Sequence, residues 1–232
     1  MATVRPFAPA LTSRRIEICR VAALIFRDRG YDATSVSDIA RALGITKAGL
    51  YHYFESKEAL LLEITNYGLD RVRDDVIVPV KDIRDPAVRL RELVVRHANI
   101  ATHGRGAIAE LVDEIGALPP AARKQVEERM RAYFDLVRGT LYELRDAGRL
   151  RDVDPTVATF SLIGTILWLP KWFRQNGRLS QKDVANQIAD IALAGLVRSR
   201  PRTRARARVR PRAATLRPAS AGSSPRSRSR RR

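Results

Sequence analysis

An all-α fold of about nine helices is what the sequence predicts, on three observations. Apolar residues recur at three- and four-residue steps through most of the first 197 positions, with no sustained alternation of the kind a strand shows. The periodic stretches open on Ser, Asp or Pro and close on Gly or Asn-Gly. Hydrophobic residues make up 45% of 232, enough to build a buried core.

Met1–Leu11 reads as a disordered arm. From Thr12 to Arg29, Ile16, Cys19, Ala23 and Phe26 form one stripe, widened by Ile18, Ala22 and Ile25. Ser13 is placed to cap this helix and Gly30 to stop it. Ser35 and Asp38 fit a capping box for a second, short helix. Gly44 supplies the sharp turn after it, and a third helix runs from Thr46 or Lys47 to Phe54. Ser56 caps a longer helix carrying Ala59, Leu60, Ile64, Tyr67 and Val72, expected to fade before Pro79.

Asp85-Pro86 opens the next helix, with Leu90, Leu93, Val94, His97 and Ala101 on one face. Ala107–Ile115 reads as a short helix. Pro119-Pro120 starts the longest one, through Val126, Met130, Tyr133, Phe134, Val137, Leu141 and Leu144 to Gly148. Asp154-Pro155 leads into Val157–Phe173, apolar nearly all round and so expected to be buried on several sides, with a kink at Pro170. Ser180 and Asp183 cap the last helix, which reaches about Val197.

The net charge of +18 is unevenly placed. Residues 198–232 hold 14 Arg and no acid, so +18 − 14 leaves about +4 for residues 1–197. That Arg-, Pro- and Ser-rich tail reads as disordered. It either raises non-specific affinity for DNA by counterion release or is a solvated extension. A single cysteine, Cys19, rules out an intrachain disulfide and reads as a buried, inert thiol. The longest apolar run, Phe160–Leu169, is too short for a bilayer, which needs roughly 20 residues. A soluble, cytoplasmic protein without a signal peptide is the expectation. No nucleophile elbow, P-loop, dinucleotide fingerprint or Cys/His cluster is present, so neither an enzyme, a cofactor nor a metal is expected. His97 and His103 sit six apart, off a shared helical face.

The segment Ser35–Phe54 carries the most information. Two helices crossing steeply need a small residue at closest approach, which Ala40 supplies, and a positive-φ turn, which Gly44 supplies. Leu50 and Phe54 anchor one side of the third helix. Lys47, Ala48, Tyr51 and His52 are then left outward, as in a helix-turn-helix whose second helix meets base edges and phosphates. An isolated Ala40/Gly44/Leu50 pattern suits ordinary packing equally well. The whole run Gly44-Ile45-Thr46-Lys47-Ala48-Gly49-Leu50-Tyr51-His52-Tyr53-Phe54, followed by Ser56-Lys57-Glu58, does not.

With Phe26, Gly30, Tyr31, Thr34, Ile39 and Leu60, that run resembles the TetR family of bacterial regulators over about residues 12–65. The resemblance implies a helix-turn-helix DNA-binding domain at 12–57 and a helical effector-binding and dimerisation domain at 58–197. It implies a cytoplasmic, nucleoid-associated homodimer joined through its last two long helices, and a repressor released from a palindromic operator by a small molecule. Carried over by position, Thr34 and Ser35 would meet phosphate through hydroxyl and N–H. Thr46, Lys47, Ala48, Gly49, Tyr51, His52 and Tyr53 would face the groove, and Lys57 would touch phosphate. Tyr53 stands where many members carry His, which removes a cation. Tyr133, Phe134, Trp168 and Trp172, joined by His97 and Val137, either line a hydrophobic effector pocket or fill the core or a subunit interface. The stretch Ile166–Ser180 looks like members that answer to fatty-acyl thioesters or related lipophilic ligands. The alternative from another class is a structural, nucleoid-type DNA binder in which the tail dominates and the second domain only dimerises.

Overall fold

The computed structural model describes residues 13–102 and 111–198. The chain divides into two units, Met1–Ser199 and Arg200–Arg232. The N-terminal arm, His103 and all of the Arg-rich tail but Arg198 lie outside the described residues.

The first three helices are α1 (Ser13–Arg29), α2 (Val36–Ala42) and α3 (Lys47–Tyr51). Ile18, Cys19, Ala22, Ala23 and Phe26 line the buried side of α1, as the periodicity required. Ser13 is the first residue of that helix rather than the residue before it. Gly30, at φ 85°, ends it. At the start of α2 the capping box is complete: Asp38 N–H donates to Ser35 Oγ, and Ser35 N–H to the Asp38 carboxylate, both at 3.1 Å. At its end Gly44 sits at φ 64°. There Ile45 N–H donates to Ala40 O at 3.0 Å and Gly44 N–H to Arg41 O at 3.2 Å, a Schellman turn. The third helix stops at Tyr51 and continues as a turn, so that Phe54 folds inward three residues beyond.

α4 (Lys57–Val72) ends before Pro79, as expected, but the chain keeps a helical path beyond it. It passes into a π turn, Arg73–Ile77, and a short segment α5 (Val78–Val80). Pro79 has no N–H for the carbonyl four residues back, that of Asp75. A π turn lies at that point, and Arg96 Nη1 approaches the carbonyl at 3.5 Å.

α6 (Pro86–Thr102) starts on Asp85, whose carboxylate accepts from Ala87 N–H at 2.8 Å. Of the short helix expected at Ala107–Ile115, residues 107–110 lie outside the described residues. The rest belongs to a 3₁₀ turn, Leu111–Ala117, rather than to an α-helix. α7 (Pro120–Asp146) is the longest element and ends in a second Schellman turn at Gly148. α8 (Pro155–Leu167) and α9 (Leu169–Trp172) meet at Trp168, two residues before Pro170, where the kink was expected. α10 (Gln181–Leu196) is capped by Ser180, whose Oγ accepts from Asp183 N–H at 3.2 Å. A lone antiparallel bridge, Leu150 to Val197, ties its end to the α7–α8 turn. Among the described residues there are eight α-helices of five residues or more and no strand.

Two cores result. One joins α1–α4 through Ile18, Phe26, Ile39, Leu50, Phe54, Leu60 and Ile64, together with Leu118 just before α7 and Val126 within it. The other joins the π turn and α5 to α6, α7, α8, α9 and α10. The segment Val157–Phe173, expected to be buried on several sides, leaves four large apolar side chains exposed. Val157, Phe160, Trp168 and Trp172 are 59%, 61%, 63% and 51% exposed, because α8 lies on α6 and α7 along one face only.

Candidate nucleic-acid interface and inner cavity

α3 is short and depends on its neighbours. Thr46 caps it, Oγ1 accepting from Gly49 N–H at 3.0 Å. A Cβ on Gly49 would approach that hydroxyl at 3.2 Å, so the cap favours glycine there. Leu50, 2% exposed, pins the inner side. Thr46, Lys47, Ala48, Tyr51 and His52 face solvent, while Gly49 and Tyr53 are half-buried. Lys47 Nζ stands 5.9 Å from the centre of the Tyr51 ring, and His52 meets Tyr53 edge to face at 5.4 Å.

The three residues expected to meet phosphate all have partners within the head. Thr34 is 1% exposed, and its hydroxyl donates to Gly30 O at 2.8 Å, closing the end of α1. Ser35 is exposed, but its hydroxyl and N–H both serve the capping box. The Ser35 hydrogen bonds hold the Asp38 carboxyl below its ordinary value. Lys57 points inward. Its ammonium donates to Tyr31 O at 2.9 Å and Thr34 O at 3.1 Å, and lies 4.0 Å from the Tyr31 ring centre. These groups set the α1–α2 loop against α4.

Sequence reasoning passed over Arg15. Its guanidinium grips Glu63 of α4 with two bonds of 2.9 and 2.6 Å, donates to Tyr53 O at 2.8 Å and lies 4.6 Å from the centre of the Phe54 ring. It therefore fastens the end of the α3 turn to α1 and α4. The signal was present, since Arg15 lies one helical turn before Cys19 on the buried side of α1. Cys19 itself is buried, which pushes its thiol up to about 12 and leaves it unreactive.

A partly open cavity of about 530 Å³ lies in the second half of the fold. Its apolar wall comes from Leu69 and Val72 of α4, Ile100 of α6, Met130 and Phe134 of α7, and Ile163 and Leu167 of α8. Arg71, Asp74, Asp75 and Arg96 line its more exposed part. His97 and Tyr133 line its buried part, with Tyr133 Oη 2.9 Å from His97 Nδ1 and the rings edge to face at 5.1 Å. Burial pushes His97 down to about 4 and Tyr133 upward, so both rings are neutral near pH 7. Of the six residues expected to meet an effector, His97, Tyr133 and Phe134 line the cavity. Val137 is one turn farther along α7 in the core. Trp168 and Trp172 lie outside the lining, more than half exposed. The contribution of α4 to the wall was missed because Thr65, Gly68 and Arg71 break its apolar pattern. Among the described residues no group of three or more His, Cys, Asp or Glu is placed to hold a metal, and no helix is long and apolar enough to cross a membrane.

Residues 18–64 match the family described as bacterial regulatory proteins, tetR family, and residues 84–196 match the tetracyclin repressor-like C-terminal domain. The HTH-type transcriptional repressor KstR2 of Rhodococcus jostii (strain RHA1) is 31% identical over 188 residues, 80% of this chain and 92% of that protein. The crystal structure of AibR in complex with isovaleryl coenzyme A and operator DNA superposes with a TM-score of 0.70 at 36% identity, covering 77% of this chain and 97% of AibR. KstR2 of Mycobacterium tuberculosis, described as a ketosteroid transcriptional regulator, gives a TM-score of 0.74 at 28% identity, covering 82% and 98%. With α1–α3 forming a capped and anchored helix-turn-helix and α4–α10 enclosing a cavity, the chain belongs to the TetR family of bacterial DNA-binding transcriptional regulators.

Proposed function

We propose that the protein is a homodimeric repressor that leaves a palindromic operator when a lipophilic acyl thioester fills the cavity. The observation that carries this reading is the path of α4. Its first half, Leu60, Leu61 and Ile64, belongs to the core under the reading head. Its second half, Leu69 and Val72, belongs to the cavity wall. A ligand that binds one position of α4 better than another shifts the head by that difference in affinity. The apolar wall suits an acyl chain, and the half-exposed Arg71 and Arg96 suit an anionic head group. The relative solved with isovaleryl coenzyme A and operator DNA supports the ligand class.

In the dimer, the exposed apolar side chains Val157, Phe160, Trp168, Trp172 and Ile191 of α8–α10 pair with a second copy. The two α3 helices then enter successive major grooves roughly 34–36 Å apart, or a multiple of that. Lys47, Ala48, Tyr51 and His52 make the groove contacts. Replacing Lys47 or Tyr51 by Ala should weaken operator binding at unchanged melting temperature, and decanoyl coenzyme A should release the wild-type protein. Operator affinity untouched by both substitutions would overturn the assignment of α3. A palindrome bound no tighter than random DNA would favour a structural DNA binder instead.

A further inference from the structure

We infer that His97, oriented by Tyr133, is the polar anchor inside the cavity, and that the effector places a carbonyl oxygen against its Nε2–H. The inference rests on reading the cavity as an effector site and adds the chemistry that site selects. Three polar side chains of the lining are buried: Thr65, His97 and Tyr133. Thr65 has committed its proton to Leu61 O at 2.9 Å, within its own helix. Tyr133 and His97 are joined at 2.9 Å through Nδ1. A phenol is the stronger acid of the two and an imidazole nitrogen the stronger base, so the hydroxyl donates and Nδ1 accepts. That fixes the proton of the neutral ring on Nε2.

Nε2 has no partner among the described residues. His97 and Tyr133 both line the cavity and are 5% and 6% exposed. The charged lining is better exposed. The side chains of Arg71, Asp75 and Arg96 keep 42%, 37% and 40% of their surface. Those groups also partner one another or the backbone: Arg71 pairs with Asp75, and Arg96 pairs with Glu92 at 3.0 Å and approaches Asp75 O. The buried part thus offers an apolar wall with one uncommitted donor. An acceptor on the ligand takes up that N–H in place of water. A carboxylate would lose its hydration without a cation beside it, whereas a neutral carbonyl would not. The carbonyl is either that of the thioester or one farther along the acyl group.

The test uses the full chain with isotope-labelled histidine. The probes are methyl octyl ketone and the hydrocarbon that has a methylene in place of its oxygen. The ketone should bind about tenfold tighter, the order of one net hydrogen bond, and should shift the Nε2 resonance of His97. In His97→Phe the two should bind alike. Should that variant fail to fold, Tyr133→Phe carries the test, with the preference falling severalfold as the ring loses its orienting bond. Equal binding by the wild type, entry of neither probe, or a preference that survives both substitutions overturns the inference. Decanoyl coenzyme A, S-decyl coenzyme A and a decanoyl thioester with a keto group at its far end locate the carbonyl. A gain from S-decyl to decanoyl assigns the thioester oxygen, and a gain only with the keto chain assigns the deeper one. If no coenzyme A ligand binds while the ketone preference holds, the thioester reading fails and the anchor stands.

Discussion

Acidification should unfold this protein through a residue far from its surface charge. Burial holds the His97 ring at about 4 against 6.5 in the unfolded chain. The unfolded state therefore binds more protons between those values, and stability rises with pH across that window. It is fully present above the unfolded pKa and is lost as pH falls toward the folded one. That gap is worth about 3 kcal/mol per protomer at the limit, most of it lost between roughly pH 7.5 and 4.5. The lowered carboxyls, Asp38, Glu58, Asp74, Asp85 and Asp154, act mainly below this range, since their unfolded values lie near 4. Urea unfolding at fixed protomer concentration, followed by circular dichroism at several pH values, measures the loss. His97→Phe serves as the reference. It is destabilised near neutral pH because Tyr133 loses its acceptor, yet its curve should lack the His97 contribution. Wild type and variant running parallel from neutral to about pH 4.5 would refute the burial argument.

Arg15→Ala should cost about 1–2 kcal/mol, since it removes a paired and partly solvated charge cluster, and should loosen the operator complex because the α3 turn loses its tie to α1. Denaturant midpoints and operator titration check the two effects, and unchanged operator affinity would mean that Leu50 and Phe54 hold α3 alone. Phe160→Arg should leave the subunit folded, as the ring is 61% exposed, and weaken the dimer about a hundredfold or more, because the substitution occurs on both copies. Sedimentation at several concentrations reads this directly, and an unchanged dimer would place the interface elsewhere.

What was legible in the sequence is what local chemistry decides. Gly30, Gly44 and Gly148 stop their helices at φ 85°, 64° and 66°, conformations that disfavour a side chain. Ser35, Ser56, Asp154 and Ser180 cap the helices that follow them. The outward set on α3 followed from where Leu50 had to point. Tertiary choices were not legible. A proline signals a break, but Pro79 is carried by a π turn whose Asp75 carbonyl meets Arg96 from another helix, 21 residues on. An apolar helix reads the same whether its second face is buried in its own subunit or left exposed, so the exposure of Phe160 and Trp168 was invisible. Thr34 and Lys57 carry the residue types of phosphate ligands, and the structure uses them for packing the head. The pairing of His97 with Tyr133 joins positions 36 apart, on helices whose register only the packed core sets.

The same geometry bears on how a cavity reaches a reading head. α4 and α7 both run through both cores, α7 placing Val126 under the head and Tyr133 at the cavity. Between the cores Arg129 of α7 binds Asn66 at 2.7 Å and Asp70 at 2.6 Å, on the solvent-facing side of α4. Displacing the wall at Leu69 or Val72 therefore strains either that clamp or the helix itself. The regular part of α4 is stiff, with each backbone bond satisfied within it. The π turn beyond Val72 is less regular, and its Asp75 carbonyl is approached by Arg96 from another helix. A push at the wall is thus absorbed at the π end or carried to Lys57 at the other, according to which end is held more firmly. Lys57 is held by two carbonyls and a ring, so the motion that costs least there is one of the whole head, with α1–α3 riding on α4 rather than slipping along it. The contacts of Thr34, Ser35 and Lys57 within the head make it a rigid body, and a rigid head is what a dimer needs if a small change in α4 is to alter the spacing of two recognition helices.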